Sequence, residues 1–123
     1  MKAMPVILAV DRNRRNLELL SQFLEKEDCL TRAVASPEEF DQALTGSDDI
    51  RIALVDISGF DRSIWERCEG LRNKKIPFVV LSPRHSGAIQ QAGFTSAARS
   101  VLVKPLMAKE LMGIVRGILN EDE

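Results

Sequence analysis

Four polar residues stand at the ends of short apolar runs, and together they could bind and transfer a phosphoryl group. Asp11 follows "VILAV", Asp56 follows "IALV", Ser82 follows "FVVL" and Lys104 follows "VLV". Two carboxylates can bind a hard cation such as Mg²⁺, and an aspartate can itself accept a phosphoryl group. A lysine and a hydroxyl could hold the phosphoryl oxygens, because phosphoryl transfer depends mainly on positioning and charge neutralisation. Each residue alone would indicate only a solvated loop, so the prediction depends on all four converging.

The elements that would bring these residues together alternate along the chain. Runs rich in Val, Ile and Leu occur at "PVILAV", "IALVDI", "PFVVL" and "SVLV", with a weaker run at "CLTRAVA" and helical spacing between the runs. Strands that are apolar along their whole length and separated by helices indicate a parallel sheet covered on both faces. Right-handed crossovers place all carboxyl ends of the strands at one edge, where α/β sheets bind ligands. We therefore predict a three-layer α/β fold, with β-α repeated five times.

The helical segments differ in how clearly they are marked. "NRRNLELLSQFLEKED" puts Leu17, Leu20 and Leu24 on one stripe. "SPEEFDQAL" begins with a capping-box pattern at Ser36, with proline at the first helical position. "SIWERCEGLRNK" and "MAKELMGIVRGILN" are amphipathic, whereas "SGAIQQAGFTSAARS" has a thin apolar face and predicts only a short helix.

Composition fits one domain over residues 1–123 and argues against several classes of partner. The chain has 17 basic and 18 acidic residues, which provides no basic field for direct nucleic-acid binding. Cys29 and Cys68 form no CxxC pair, which is typical of a reducing compartment. The apolar run in "MKAMPVILAVDR" is too short for a signal peptide or a membrane span. We expect a cytoplasmic protein that does not enter a membrane.

The site motifs in their order resemble the receiver domains of two-component response regulators. The resemblance rests on "ILAVD", "ALVDIS", "IPFVVLS" and "VLVKPL" and covers nearly the whole chain. It implies a flavodoxin-like, CheY-like sheet in the order 2-1-3-4-5. It also implies a sensor histidine kinase or a phosphotransfer protein as partner. A homodimer or an output protein would bind through strand 5 and helix 5, with Met107 and Met112 as candidate contacts.

The resemblance also implies a role for each site residue. Asp56 would be the phosphoacceptor. Asp11, Asp56 and the backbone carbonyl of Ser58 would bind Mg²⁺. Ser82 would hydrogen-bond the phosphoryl group and Lys104 would neutralise one of its oxygens. The Lys104-Pro105 peptide bond would be cis.

Several positions depart from the pattern of receiver domains. Arg12 stands where a second acid is usual, and a guanidinium in place of a carboxylate changes the local charge by two units. A pair of charges about 4 Å apart interacts by about 4 kcal/mol at an effective dielectric of about 20, so Arg12 should weaken Mg²⁺ binding. Phe60 and Ile64 replace a proline and a glycine in the loop after Asp56. Val101 replaces an aromatic switch residue, and Pro83 removes one backbone N–H donor.

These departures leave two mechanisms open, together with a rival class. Arg12 could take over part of the metal's work by bridging phosphoryl oxygens. Alternatively, it could pair permanently with Asp56 or Asp11, which would make the domain a phosphorylation-independent pseudo-receiver that serves for protein docking. An enzyme is the minority interpretation. A dinucleotide-binding enzyme needs glycines after the first strand, where "DRNRRN" has none, and an aspartyl phosphatase needs a second acid where Ser58 stands.

Overall fold

The computed structural model describes residues 4–46 and 49–121, and there the chain alternates strictly between strands and helices. The strands are β1 (Val6–Val10), β2 (Leu30–Val34), β3 (Ile50–Asp56), β4 (Phe78–Ser82) and β5 (Ser100–Val103). The helices are α1 (Arg14–Lys26), α2 (Pro37–Thr45), α3 (Ser63–Asn73), α4 (Gly87–Thr95) and α5 (Ala108–Asn120). All strand pairs are parallel and lie in the order β2-β1-β3-β4-β5. The predicted fold class and strand order are confirmed.

Apolar side chains cover both faces of the inner strands β1, β3 and β4, which explains why these strands are apolar along their length, whereas the edge strand β2 is largely exposed. One cluster packs β-strand residues against α2 and α3, through Phe40, Ile64, Cys68 and Leu71. The other packs the opposite face against α1 and α5, through Leu24, Leu111, Val115 and Ile118. The helices therefore lie on both faces of the sheet, and the polar strand ends project from one edge between the two layers.

Side-chain caps fix the start of three helices. The side-chain oxygen of Asn13 accepts from the N–H of Asn16 at 3.1 Å, at the start of α1. Ser36 Oγ likewise accepts from the N–H of Glu39 at 3.1 Å, which confirms the start predicted for α2. Ser86 caps α4, the segment with the thinnest apolar face. Each cap is worth about 1 kcal/mol, so the short α4 is fixed more by its start than by its amphipathicity.

The two methionines expected as partner contacts differ in their burial. Met112, expected as a partner contact, is 5% exposed in the core, because it lies on the inner face of α5; that expectation was wrong. Met107 is 65% exposed, as a surface contact requires.

Both cysteines are buried and free, and burial raises the pKa of Cys68 to about 12, so its thiol stays protonated. No helix of the described ranges combines the length and the apolar character that a membrane span requires.

Candidate functional site

The four polar strand ends meet at the carboxyl edge of the sheet. Asp11 directly follows β1, which pairs with β3, and Asp56 is the last residue of β3. β4 pairs with β3 and ends at Ser82. The N–H of Lys104 donates to the carbonyl of Ser82 at 2.9 Å, which places the lysine one strand further along the edge. Backbone pairing alone therefore brings the four predicted residues together.

Asp11 and Asp56 form a buried and mutually repelling carboxyl pair. Their exposed fractions are 7% and 2%. Burial raises the pKa of Asp11, and the negative charge of Asp56 raises it further, whereas a hydrogen bond from the N–H of Asn13 and the positive charge of Lys104 act in the opposite direction. A pair of this kind attracts a cation, because a positive charge offsets both the desolvation cost of the buried carboxylates and the repulsion between them.

Lys104 supplies a cation for one member of this pair. Its Nζ forms an ion pair with Oδ2 of Asp56, and the lysine side chain is 30% exposed, so it reaches the carboxylate from the solvent side. Oδ1 of Asp56 accepts the backbone N–H of Ser58 at 2.9 Å. Both oxygens of Asp56 therefore have a defined partner, and the carboxylate is held in one orientation.

The two aspartates are held by the same backbone device. Each carboxylate accepts the N–H of the residue two positions further on, Asn13 for Asp11 at 2.8 Å and Ser58 for Asp56 at 2.9 Å. This Asx turn is a common property of aspartate at the start of a loop, so each aspartate is itself a signal for the turn, although we did not predict it from the sequence. The turns fix the orientation of both carboxylates at the sheet edge.

The hydroxyl of Ser82 is turned toward its own loop. Its Oγ donates to the carbonyl of Arg84 at 2.6 Å and accepts the N–H of Arg84 at 3.4 Å, and the residue is 1% exposed. The intervening Pro83 offers no N–H of its own. To reach a ligand beside Asp56, the hydroxyl would have to release the Arg84 carbonyl.

Arg12 contacts an aromatic ring rather than the carboxyl pair. Its guanidinium carbon lies 5.6 Å from the centre of the Phe60 ring, a cation–π contact. Within the described residues it forms no ion pair with Asp11 or Asp56, in contrast to the permanent pair that one of the two mechanisms required. Such a contact is worth about 0.5 to 1 kcal/mol at an exposed site, the same size as an exposed ion pair, so the ring can compete for the guanidinium.

The residues at this edge fit a magnesium ion that also has phosphate oxygens as ligands. Proteins bind Mg²⁺ through one or two carboxylates plus substrate phosphates, and Asp11 and Asp56 provide two. The buried Oγ of Ser58 beside them has no hydrogen-bond partner among the residues described, so it is available to a polar ligand. In the same part of the chain, no three or more His, Cys, Asp or Glu residues form a group that could hold a metal by themselves.

Comparisons with known proteins bear on the fold. No protein-family model matches the chain, and no curated protein matches it. Solved structures do match. A response regulator receiver domain protein (CheY-like) from Methanospirillum hungatei JF-1 superposes with a TM-score of 0.86 at 21% identity, over 96% of this chain and 95% of that one.

Two further structures show the same likeness. A two-component response regulator from Clostridium difficile gives a TM-score of 0.86 at 24% identity, over 95% of this chain and 97% of that chain. A response regulator receiver protein from Pseudoalteromonas atlantica gives 0.84 at 24% identity, over 97% and 100%. The identities are low, but the superpositions extend over nearly the full length of both chains. The protein has the fold of the CheY-like response regulator receiver domains.

Proposed function

We propose that this chain is a receiver domain of a two-component phosphorelay and that Asp56 is its phosphoacceptor. The observation that carries the proposal is the buried Asp56 carboxylate, held by Lys104 and the Ser58 N–H at the carboxyl edge of the sheet. Receiver-fold neighbours support the signalling class. The donor would be the phosphohistidine of a sensor kinase or of a phosphotransfer protein.

The reaction transfers one phosphoryl group between two side chains. A carboxylate oxygen of Asp56 attacks phosphorus, the P–N bond to the donor imidazole breaks, and the imidazole keeps the electron pair and takes up a proton. The product is an acyl phosphate on Asp56. Lys104, already beside this carboxylate, binds a phosphoryl oxygen, and Ser82 donates to another after releasing the carbonyl of Arg84.

A divalent cation has a place in this proposal. Asp11, Asp56 and the backbone carbonyl of Ser58 would hold Mg²⁺, which when bound neutralises charge on the phosphoryl oxygens. With Arg12 directed to Phe60, the charges inside the pocket are those of Asp11, Asp56 and Lys104. This balance stays negative by one charge when both aspartates are ionised, so the cation is less disfavoured than the sequence had indicated.

The proposed activity is signalling rather than turnover. The receiver accepts a phosphoryl group once per activation and passes the change to a partner. β5 and α5 remain our candidate surface for a homodimer or an output protein, with Met107 exposed at the start of α5. Hydrolysis of phosphate esters is not part of the proposal, because Ser58 stands where an acid would assist it.

Intact-mass spectrometry after incubation with acetyl phosphate, with and without Mg²⁺, tests the proposal. We expect the mass of one phosphoryl group to be gained, and Asp56→Asn to abolish the gain. Asp61→Asn is the matched control, because Asp61 is an exposed carboxylate in the same loop. If the wild-type protein gains no mass under any condition, the phosphoacceptor role is wrong and the docking-module alternative takes its place. Steady ester hydrolysis that needs Asp56 would indicate a phosphatase instead.

A further inference from the structure

The loop after β3 contacts both the aliphatic stem and the guanidinium of Arg12. Gly59 has a φ of 79°, and a Cβ built there would lie 3.4 Å from Cγ of Arg12, so the arginine stem passes directly over this glycine. The guanidinium then lies over the ring of Phe60. Phe60 is itself partly buried against the core cluster that contains Ile64, so the ring is a fixed platform. Arg12, in the loop after β1, is thus positioned by Gly59 and Phe60, two consecutive residues of the loop after β3.

The positive charge of Arg12 acts on Asp61, in the loop after β3. The pKa of Asp61, the residue after Phe60, is lowered chiefly by hydrogen bonds from Ser63, and further by the positive charges of Arg67 and Arg12. The carboxyl pair of Asp11 and Asp56 takes its positive charge from Lys104. Arg12 therefore sits beside the pocket in sequence but outside it in space.

We propose that Phe60 is a positioning residue that holds the Arg12 guanidinium away from Asp11 and Asp56 and so keeps the carboxyl pair able to bind a divalent cation. A planar ring is required, because a guanidinium stacks on an aromatic face and gains no such attraction from an aliphatic side chain. Without the ring, Arg12 would be free to turn to the carboxyl pair, whose two negative charges face the single positive charge of Lys104. The inference rests on the pocket of the proposed function, but it concerns cation binding only.

A double-mutant cycle on cation affinity tests this. Mn²⁺ is titrated into the wild-type protein, Phe60→Leu, Arg12→Met and the double variant, and the free ion is measured by electron paramagnetic resonance. Leucine keeps the apolar packing, and methionine keeps an arginine-like stem without the charge. We expect Phe60→Leu to weaken Mn²⁺ binding about two- to five-fold, the factor that corresponds to one exposed cation–π contact. Phe60→Tyr should restore the wild-type affinity.

The cycle separates a positioning role from a structural one. In the Arg12→Met background, Phe60→Leu should leave the affinity unchanged, because no guanidinium remains to be positioned. An equal loss in both backgrounds would show that Phe60 acts only on the shape of the loop and would overturn the proposal. Mn²⁺ binding by Arg12→Met but not by the wild-type protein would overturn it too, since the arginine would then already neutralise the pocket. So would the absence of binding in all four proteins.

A second readout reports the stack itself. Protons on Cδ of Arg12 should show a ring-current shift in the NMR spectrum of the wild-type protein and of Phe60→Tyr, and should lose it in Phe60→Leu. An unshifted wild-type signal would contradict the proposal directly. Neither readout involves phosphoryl transfer, so failure of Asp56 to accept a phosphoryl group would remove the proposed function while leaving this result standing.

Discussion

Asp11 bears an electrostatic cost that its surroundings only partly relieve. Burial and the charge of Asp56 raise its pKa, whereas the N–H of Asn13 and the charge of Lys104 oppose the rise. Between the unfolded-state pKa and this higher folded-state pKa, the folded protein binds the proton more readily than the unfolded chain does. Stability contributed by Asp11 therefore decreases as pH rises through that window, and ionised Asp11 disfavours folding at neutral pH.

We predict that Asp11→Asn stabilises the protein at pH 7, because asparagine removes the charge and its side-chain oxygen can still accept the Asn13 N–H. The expected gain in the free energy of unfolding is about 0.5 to 2 kcal/mol, measured by urea denaturation. The gain should shrink as pH falls through the window between the folded-state and the unfolded-state pKa of Asp11, and it should vanish below the unfolded-state pKa, where the wild-type residue is neutral in both states. A variant less stable than the wild-type protein at pH 7 would show that Lys104 already compensates the carboxyl pair fully.

At the scale of single residues, the sequence predicted which polar residues meet at the carboxyl edge of the sheet but not how their side chains are oriented. The type and place of Asp11, Asp56, Ser82 and Lys104 follow from strand ends, which apolar runs mark clearly. The direction of Arg12 does not, because its preference for the Phe60 ring over a carboxylate depends on contacts between loops far apart in the chain. The prediction that Arg12 weakens Mg²⁺ binding assumed that a residue next to Asp11 in sequence also places its charge next to the carboxylates.

At the scale of helices and strands, close packing of α4 on β5 depends on one glycine. A Cβ at Gly93 would lie 2.7 Å from Cγ2 of Val101, so the helix can approach the strand only where no side chain intervenes. Val101 is the residue that replaces the aromatic switch of the receiver pattern. Under the proposed function, a rearrangement between α4 and β5 would therefore have to work through this small aliphatic contact and not through a rotating ring.

We predict that Gly93→Ala destabilises the protein although alanine is the better helix former. Overpacking costs about 1 to 3 kcal/mol, and the contact of 2.7 Å with the short, branched side chain of Val101 favours the upper part of this range, above the gain of about 1 kcal/mol in helix propensity. Gly113→Ala in α5 is the control, because a Cβ there meets nothing within 4 Å, and it should stabilise by about 0.5 to 1 kcal/mol. Urea denaturation of both variants measures the two opposite shifts. Similar stabilisation by both would mean that Val101 moves aside without cost.

The elements themselves were predictable because the period of the apolar pattern changes along the chain. Apolar runs marked the strands, most weakly β2, and the capping pattern at Ser36 marked the start of α2, whereas the Ser86 cap of α4 was not predicted. The fate of Met112 was not predictable in the same way. It lies beside Leu111 on α5, and only the packing of the helix on the sheet decides that both are buried. The apolar pattern of a helix shows which of its faces packs on the sheet, but not how many residues beside that face become buried.

For the whole molecule, stability rests on the two apolar layers rather than on surface charge. Leu54, in the middle of β3, is fully buried in the cluster beneath α1 and α5. Ion pairs such as Arg116 with Glu27, at 3.4 Å, join elements across the surface but stay largely solvated. Solvated pairs contribute at most about 1 kcal/mol each. The sheet can therefore hold strained or repelling groups at its carboxyl edge without losing the fold.

We predict a large difference between the two kinds of contact. Leu54→Ala should lower the free energy of unfolding by about 2 to 5 kcal/mol, through lost burial and a residual cavity. Arg116→Met should change it by less than about 1 kcal/mol, and by less still at high salt, where the ion pair is screened. Urea denaturation at low and high salt measures both. Comparable losses would mean that the surface pairs form a cooperative network.

The central claim is that Asp56 is the residue that accepts a phosphoryl group. Borohydride reduces an aspartyl phosphate to homoserine, so treatment of the acetyl-phosphate-labelled protein followed by peptide sequencing in the mass spectrometer locates the modified residue. We predict homoserine at position 56 and at no other position. An unmodified Asp56, or conversion of a different aspartate, would contradict the claim.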